Sequence, residues 1–200
     1  MAKKSLFKTK QLVVYPGQGV GVVKDISDTE VGDEVIRYYV VYLADLDMTV
    51  LVPVDKSEEL GLRSIISKKE AEKAIEFLSE EAVPMPTDWK MRYQMNMDRF
   101  KSGKIMEIAA VVKSLYHRSK IKELPIQERK LYEAAYRIFQ DELVAALNLD
   151  QAATEERIHK ALEPVTSENA SDYVLDKVDG FDDDFDIDDS DDDFDEPNLD

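Results

Sequence analysis

The chain has 200 residues, with 26 Lys+Arg against 43 Asp+Glu and a formal net charge of -17. It contains no Cys, which excludes disulfides, thiolate metal sites and Cys nucleophiles. No apolar run approaches the ~20 residues needed to span a bilayer, so a soluble, cytoplasmic protein with no membrane partner is expected.

The acidity is concentrated at one end. Sixteen acids and a single base, Lys177, fall in Ser167–Asp200, which leaves 27 acids and 25 bases for residues 1–166. That nearly neutral body is long enough to bury a core without covalent staples.

Four segments of the first third alternate as half-buried strands do: Gln11–Tyr15, Gly19–Ile26, Val35–Ala44 and Met48–Val54, all rich in Val, Tyr and Ile. Pro16-Gly17 suits a type II turn, and Gly32-Asp33 tolerates positive φ between two strand-like runs. Such short loops imply antiparallel pairing, and residues 1–66 are expected to form a small barrel or sheet. Ser67-Lys68-Lys69-Glu70 then spells a capping box, opening a helix that Ala71, Ala74, Ile75 and Leu78 continue. Pro84 and Pro86 stop it, so residues 67–87 are a helix and a Pro-rich linker.

From residue 88 the spacing is helical throughout. Ile105, Ile108, Ala109, Val112, Leu115 and Tyr116 fall on one face, and Leu131, Ala134, Ala135, Ile138, Phe139 and Leu143 on another. Gly103 separates the helix carrying Trp89 from the next, Pro125 suits an early helix position, and a last short helix is expected over Thr154–Leu162. Residues 88–163 thus read as an all-α bundle of four helices, and the chain as an α+β protein of two domains. The remaining 164–200 is expected to be a disordered acidic tail, because its runs of Asp, broken only by Phe181, Phe185, Ile187 and Phe194, repel one another.

The inventory offers little catalytic chemistry. His117 and His159 lie 42 positions apart among Lys and Arg and read as surface histidines, since metal ligands come in convergent sets. Gly17-Gln18-Gly19-Val20-Gly21 resembles a phosphate loop but lacks the Gly-Lys-Ser/Thr ending and leads into a strand. Three glycines there let strands meet tightly or a partner backbone approach. No enzyme, metal or cofactor is expected.

Charge says more. Asp88–Lys130 holds 11 Lys+Arg against 5 Asp+Glu, a local net of +6 in an acidic chain. Such a face either tracks phosphates or is an ordinary solvated helix surface. Trp89, the only Trp, opens the helix after the linker, and is either a partly buried core aromatic or one presented beside bases for stacking and wedging.

The ordered combination is more specific than its parts. Phe7-Lys8, Val13-Val14-Tyr15-Pro16-Gly17-Gln18-Gly19-Val20-Gly21, Asp47-Met48-Thr49-Val50-Leu51-Val52-Pro53-Val54 and Gly61-Leu62-Arg63-Ser64-Ile65-Ile66 resemble the first domain of the CarD/CdnL family of bacterial transcription regulators. Trp89-Lys90-Met91-Arg92-Tyr93, Gly103, Ala109-Ala110-Val111-Val112-Lys113-Ser114-Leu115-Tyr116 and Glu128-Arg129-Lys130-Leu131 are similar to that family's helical domain.

The resemblance implies a Tudor-like β domain, shared with transcription-repair coupling factors, that docks on the RNA polymerase β subunit by edge-strand addition. That docking is carried onto Leu51 and Pro53, with Val31 on the preceding hairpin. It also implies a helical domain that touches promoter DNA near the upstream edge of the bubble, stabilising open complexes through Trp89 as a wedge, with Lys90, Arg92, Arg99, Lys101 and Lys130 on phosphates. Localisation would then be cytoplasmic, at the nucleoid through RNA polymerase. Relatives carry a base two positions after the Trp, where this chain has Met91, and some carry Arg where it has Leu51. The acidic tail has two candidate partners, the chain's own basic face or a separate basic protein. The rival reading is a protein-only adaptor built on the Tudor-like domain and the tail, which requires Trp89 buried and the basic face idle.

Overall fold

A computed structural model describes residues 6–32, 34–81 and 84–163. The acidic tail expected to be disordered lies outside these residues. Strands β1 (Leu12–Tyr15), β2 (Gly19–Val31), β3 (Glu34–Leu43), β4 (Met48–Pro53) and β5 (Arg63–Ser64) form one antiparallel sheet in the order β4-β3-β2-β1-β5. The fifth strand was not expected, because two residues carry no periodicity; it pairs opposite Val13 and Val14. Strand β2 also runs beyond Ile26 to Val31. The added segment is polar and shows no alternation, and pairing with β3 and a bidentate Arg37–Asp28 bridge at 2.7 and 2.9 Å hold it instead.

Alternation sets which face is buried. Tyr39, Val41 and Leu43 of β3 point inward with Val13, Val23, Val52 and Val54, and Phe7 and Leu62 close this core. The buried Tyr39 hydroxyl accepts hydrogen bonds from the Leu6 and Phe7 amides at 2.7 and 3.3 Å, which pins the entering chain. A bulge between Val23 and Asp25 bends β2. The expected type II turn is present: the Gln18 amide donates to the Tyr15 carbonyl at 3.0 Å and Gly17 has φ +73°.

The helices are α1 (Lys68–Ser79), α2 (Trp89–Lys101), α3 (Ile105–Ile121), α4 (Ile126–Leu147) and α5 (Gln151–Leu162). The capping box forms in both directions, the Ser67 amide donating to Glu70 at 2.8 Å and the Glu70 amide to the Ser67 hydroxyl at 3.3 Å. Helix α5 starts before Thr154 because Asp150 caps it, accepting from the Ala153 amide at 2.7 Å. Pro125 is the residue before the first turn of α4.

Five helices close the core, not four. Ala71, Ala74, Ile75 and Leu78 of α1 pack in the same cluster as Ile108, Val112, Ile138, Phe139, Leu143 and Ile158. An Arg157–Glu72 bridge at 2.6 Å ties α5 to α1. The Lys113 ammonium of α3 donates to the Phe77 and Glu81 carbonyls at 3.0 and 3.1 Å, supplying partners for carbonyls at the end of α1.

Sheet and helices also meet directly. The Pro16 ring sits against Gly61 and against Gly103, whose φ of +65° turns the chain between α2 and α3. Arg63 of β5 grips the fully buried Glu142 carboxylate of α4 through both Nη atoms, and donates to the Gly103 carbonyl from Nε and Nη2 at 3.1 and 2.7 Å.

Candidate functional site

Helix α2 packs Tyr93, Met97 and Phe100 against the helical core, with two polar residues set among them. Arg92 and Asn96, four positions apart, are its buried residues, while Met91 is 63% and Trp89 38% exposed. Asp88 fixes the start of the helix, its carboxylate accepting from the Lys90 amide at 2.7 Å and the Met91 amide at 3.3 Å. The Lys90 ammonium lies 5.9 Å from the Trp89 ring centroid, within cation–π reach.

Arg92 corrects an expectation. It is only 2% exposed, and four of its five N–H donors are engaged: Nε and Nη2 donate to Glu128 at 2.7 and 2.8 Å, and Nη1 donates to the Pro86 and Thr87 carbonyls at 2.9 and 3.2 Å. Buried and held in this way, Arg92 is a brace and not a phosphate contact. A bidentate, hydrogen-bonded pair is the geometry in which two buried charges compensate one another's lost hydration. The brace holds the linker carbonyls and the first turn of α2 to the first turn of α4.

That brace decides which expected residues come together. The loops joining α2 to α3 and α3 to α4 are short, so successive helices run antiparallel and α2 and α4 run parallel, with their N-termini at one end of the bundle. Trp89, Lys90 and Lys130 share that end, and the C-terminal turn of α3 brings Lys120 there. Arg99 and Lys101 lie at the other end of α2, about 15 and 18 Å along the axis from Trp89. Arg99 is engaged with Glu107 at 3.6 Å, and Lys101 is exposed.

The other expected site is the free edge of the sheet. Among the described residues strand β4 pairs only with β3, Leu51 opposite Val40 and Pro53 opposite Tyr38. Val52 and Val54 point into the core, so Leu51, 55% exposed, stands on the outer face, and Pro53 is half-buried. A Pro fits here because an edge strand can lose a donor. Val31 is not brought beside them: it pairs with Glu34 at the tip of a β2–β3 ribbon, six residues along β3 from Val40 and so about 20 Å away.

The histidines differ from expectation in one case. His117 is half-buried with its ring edge-on to Tyr116 at 5.8 Å, and burial, reinforced by nearby Lys113, holds its pKa below the usual value. Among the described residues no group of three or more His, Asp or Glu is arranged to hold a metal ion. No helix among them is long and apolar enough to cross a membrane.

An antiparallel sheet with β4 at its edge, joined to a helical bundle with a partly exposed Trp beside a Lys at one end, defines a two-domain α+β protein. Comparison with known families gives the class its name. Residues 7–66 match the CarD-like/TRCF RID domain and residues 73–159 the CarD C-terminal domain. The chain belongs to the CarD-like transcription factor family. It is 29% identical over 153 residues to a Bacillus subtilis (strain 168) protein named "Putative transcription factor YdeB", covering 76% of this chain and 97% of that protein.

Sequence reasoning missed Glu128, Glu142 and the bracing role of Arg63. Their partners lie 36 and 79 residues away, and no local pattern marks such pairs. One signal was available: Arg92 and Asn96 fall at helical spacing on the stripe that also carries Tyr93, Met97 and Phe100, so that the inward face holds polar side chains that need partners.

Proposed function

We propose that this chain binds the β subunit of bacterial RNA polymerase through the β4 edge and stabilises promoter open complexes by placing Trp89 at the upstream edge of the bubble. Leu51 and Pro53 would form the docking surface, with main-chain hydrogen bonds setting register and the outward side chains specificity. Val31, at the far tip of the ribbon, would contact a separate part of the polymerase.

The observation that carries the reading is Trp89: a large aromatic, partly exposed, at a braced helix start, with an ammonium beside it. An aromatic wedge unstacks bases at a cost of a few kcal/mol per step, so it gains most where pairing is already lost, which favours the open over the closed complex. Lys90 and Lys130 supply phosphate contacts at the same end. Contacts from Arg99 and Lys101 require DNA running along α2 for roughly five phosphates of one strand. Arg92 takes no part in the grip.

The test is the lifetime of a competitor-challenged open complex on a short-lived promoter, with no factor, with the wild-type chain, and with Trp89→Ala. The expected outcome is a longer lifetime with wild type and its loss in the variant, while polymerase binding persists. An equal gain with Trp89→Ala would overturn the wedge.

A further inference from the structure

A wedge acts only if it is aimed, and the contacts between sheet and helices are what can aim this one. The Pro16 ring is seated so closely that a Cβ at Gly61 would lie 2.7 Å from its Cγ, and a Cβ at Gly103 would lie 3.1 Å from its Cβ. Beside it, the Glu142 carboxylate is entirely buried and is met by Arg63 from the sheet side and by the Ile66 amide at 3.3 Å. Arg63 carries the Gly103 carbonyl as well, so one guanidinium holds the α2–α3 turn and α4 at once. A buried carboxylate stripped of its cation is strongly unfavourable, so swinging the sheet away from the helices carries the cost of breaking this pair, besides that of parting Gly19 from Ile138.

We propose that Arg63 and Glu142, with Pro16 as a steric stop, are positioning residues that fix the direction of Trp89 relative to the β4 edge. The span between dock and wedge is then set by a packed joint and not by the linker between α1 and α2. A flexible linker would make each engagement of the wedge a second binding event, limited by effective concentration, whereas a fixed joint delivers it pre-aimed. The inference rests on the proposed function for one point only, that both ends act on the same complex.

The absence of Cys permits a clean test on the full chain, with spin labels at Thr29→Cys on the ribbon and Glu133→Cys on α4, both exposed and outside the dock and the wedge. Glu142→Gln is the main variant because it keeps the side-chain shape; Arg63→Lys keeps the charge but cannot hold Glu142 and Gly103 with one planar fork. The expected result is a narrow inter-label distance distribution in wild type and a broad one in both variants. Each variant should also lose most of the open-complex lifetime gain at unchanged polymerase affinity, with Arg63→Lys the milder.

Cooperative melting of each variant separates this from unfolding. A distribution that stays narrow in both variants overturns the proposal, as does one that broadens while the lifetime gain is intact. If wild type itself gives no gain, the proposed function fails, and the distance measurement alone then upholds or overturns the joint.

Discussion

Arg92 and Lys90, two positions apart, have opposite roles, and the reason is where the helix turns each. Removing one partner of a buried pair leaves the other charge uncompensated, so Arg92→Ala should destabilise the fold by ~3–5 kcal/mol, read as a lowered melting temperature. Lys90→Ala should leave the melt unchanged and reduce the salt dependence of DNA binding by roughly one unit of slope. A normal melt for Arg92→Ala would remove its role as a brace.

A second residue-scale prediction concerns Asp141, next to Glu142 on α4. Burial, and the Asp45 carboxyl that shares a hydrogen bond with it, push its pKa from 3.8 up to about 7, with Arg137 opposing. The proton belongs to the pair. The folded protein keeps a proton that the unfolded chain releases near pH 4, so this site's contribution is full below that pH and is lost as pH rises through about 7. The melting temperature should therefore carry a downward component between pH 4 and 7. Asp141→Asn should remove that component, and an unchanged pH profile would refute the assignment.

At the scale of elements, the sheet edge and α2 show what sequence can and cannot reveal. Strand β4 was legible because Val50, Val52 and Val54 alternate with outward residues, and a Pro in such a run already marks an edge. If that edge is the dock, Leu51→Glu should weaken polymerase binding about ten-fold or more while leaving the melting temperature nearly unchanged, since the side chain touches solvent and not the core. Equal loss of stability and binding would mean that Leu51 supports the sheet instead.

Helix α2 was legible in its limits, from the linker prolines and Gly103, and not in the polar residues it buries. Hydrophobic spacing assigns the inward face to apolar residues, and Tyr93, Met97 and Phe100 do pack there, yet the most deeply buried residues are Arg92 and Asn96, and Glu128 makes the burial of Arg92 tolerable. The strands β1, β3 and β4, the capping box and the helical faces follow from local chemistry. The ribbon is local but polar, so no alternation marks it, while the fifth strand and both buried pairs depend on residues far away in sequence, which a local pattern does not encode.

For the molecule as a whole, charge is the first consideration. The chain carries -17 overall, while residues 1–166 carry 25 bases against 27 acids. A strongly negative field slows the approach of DNA at long range whether or not any contact forms, and salt screens it. Deleting 167–200 should speed DNA association, most at low ionic strength, and equal rates for both forms at low salt would show that the field does not govern encounter.

The pairs that brace the protein also set a schedule for its making. Arg63 waits for Glu142, 79 residues later, and Glu72 waits for Arg157, 85 residues later. Contacts so distant in sequence form late and slowly, because the loop must close before the contact repays it. While the ribosome is still adding α4 and α5, the sheet can fold and α1 can meet α3, but the part of its apolar stripe that α4 and α5 cover is open to misassociation. Residues 164–200 are made after α5 is complete, and at ~5–20 residues per second their synthesis takes a few seconds. The nascent chain thus remains tethered and apart from its neighbours during the interval in which its first and last helices find one another.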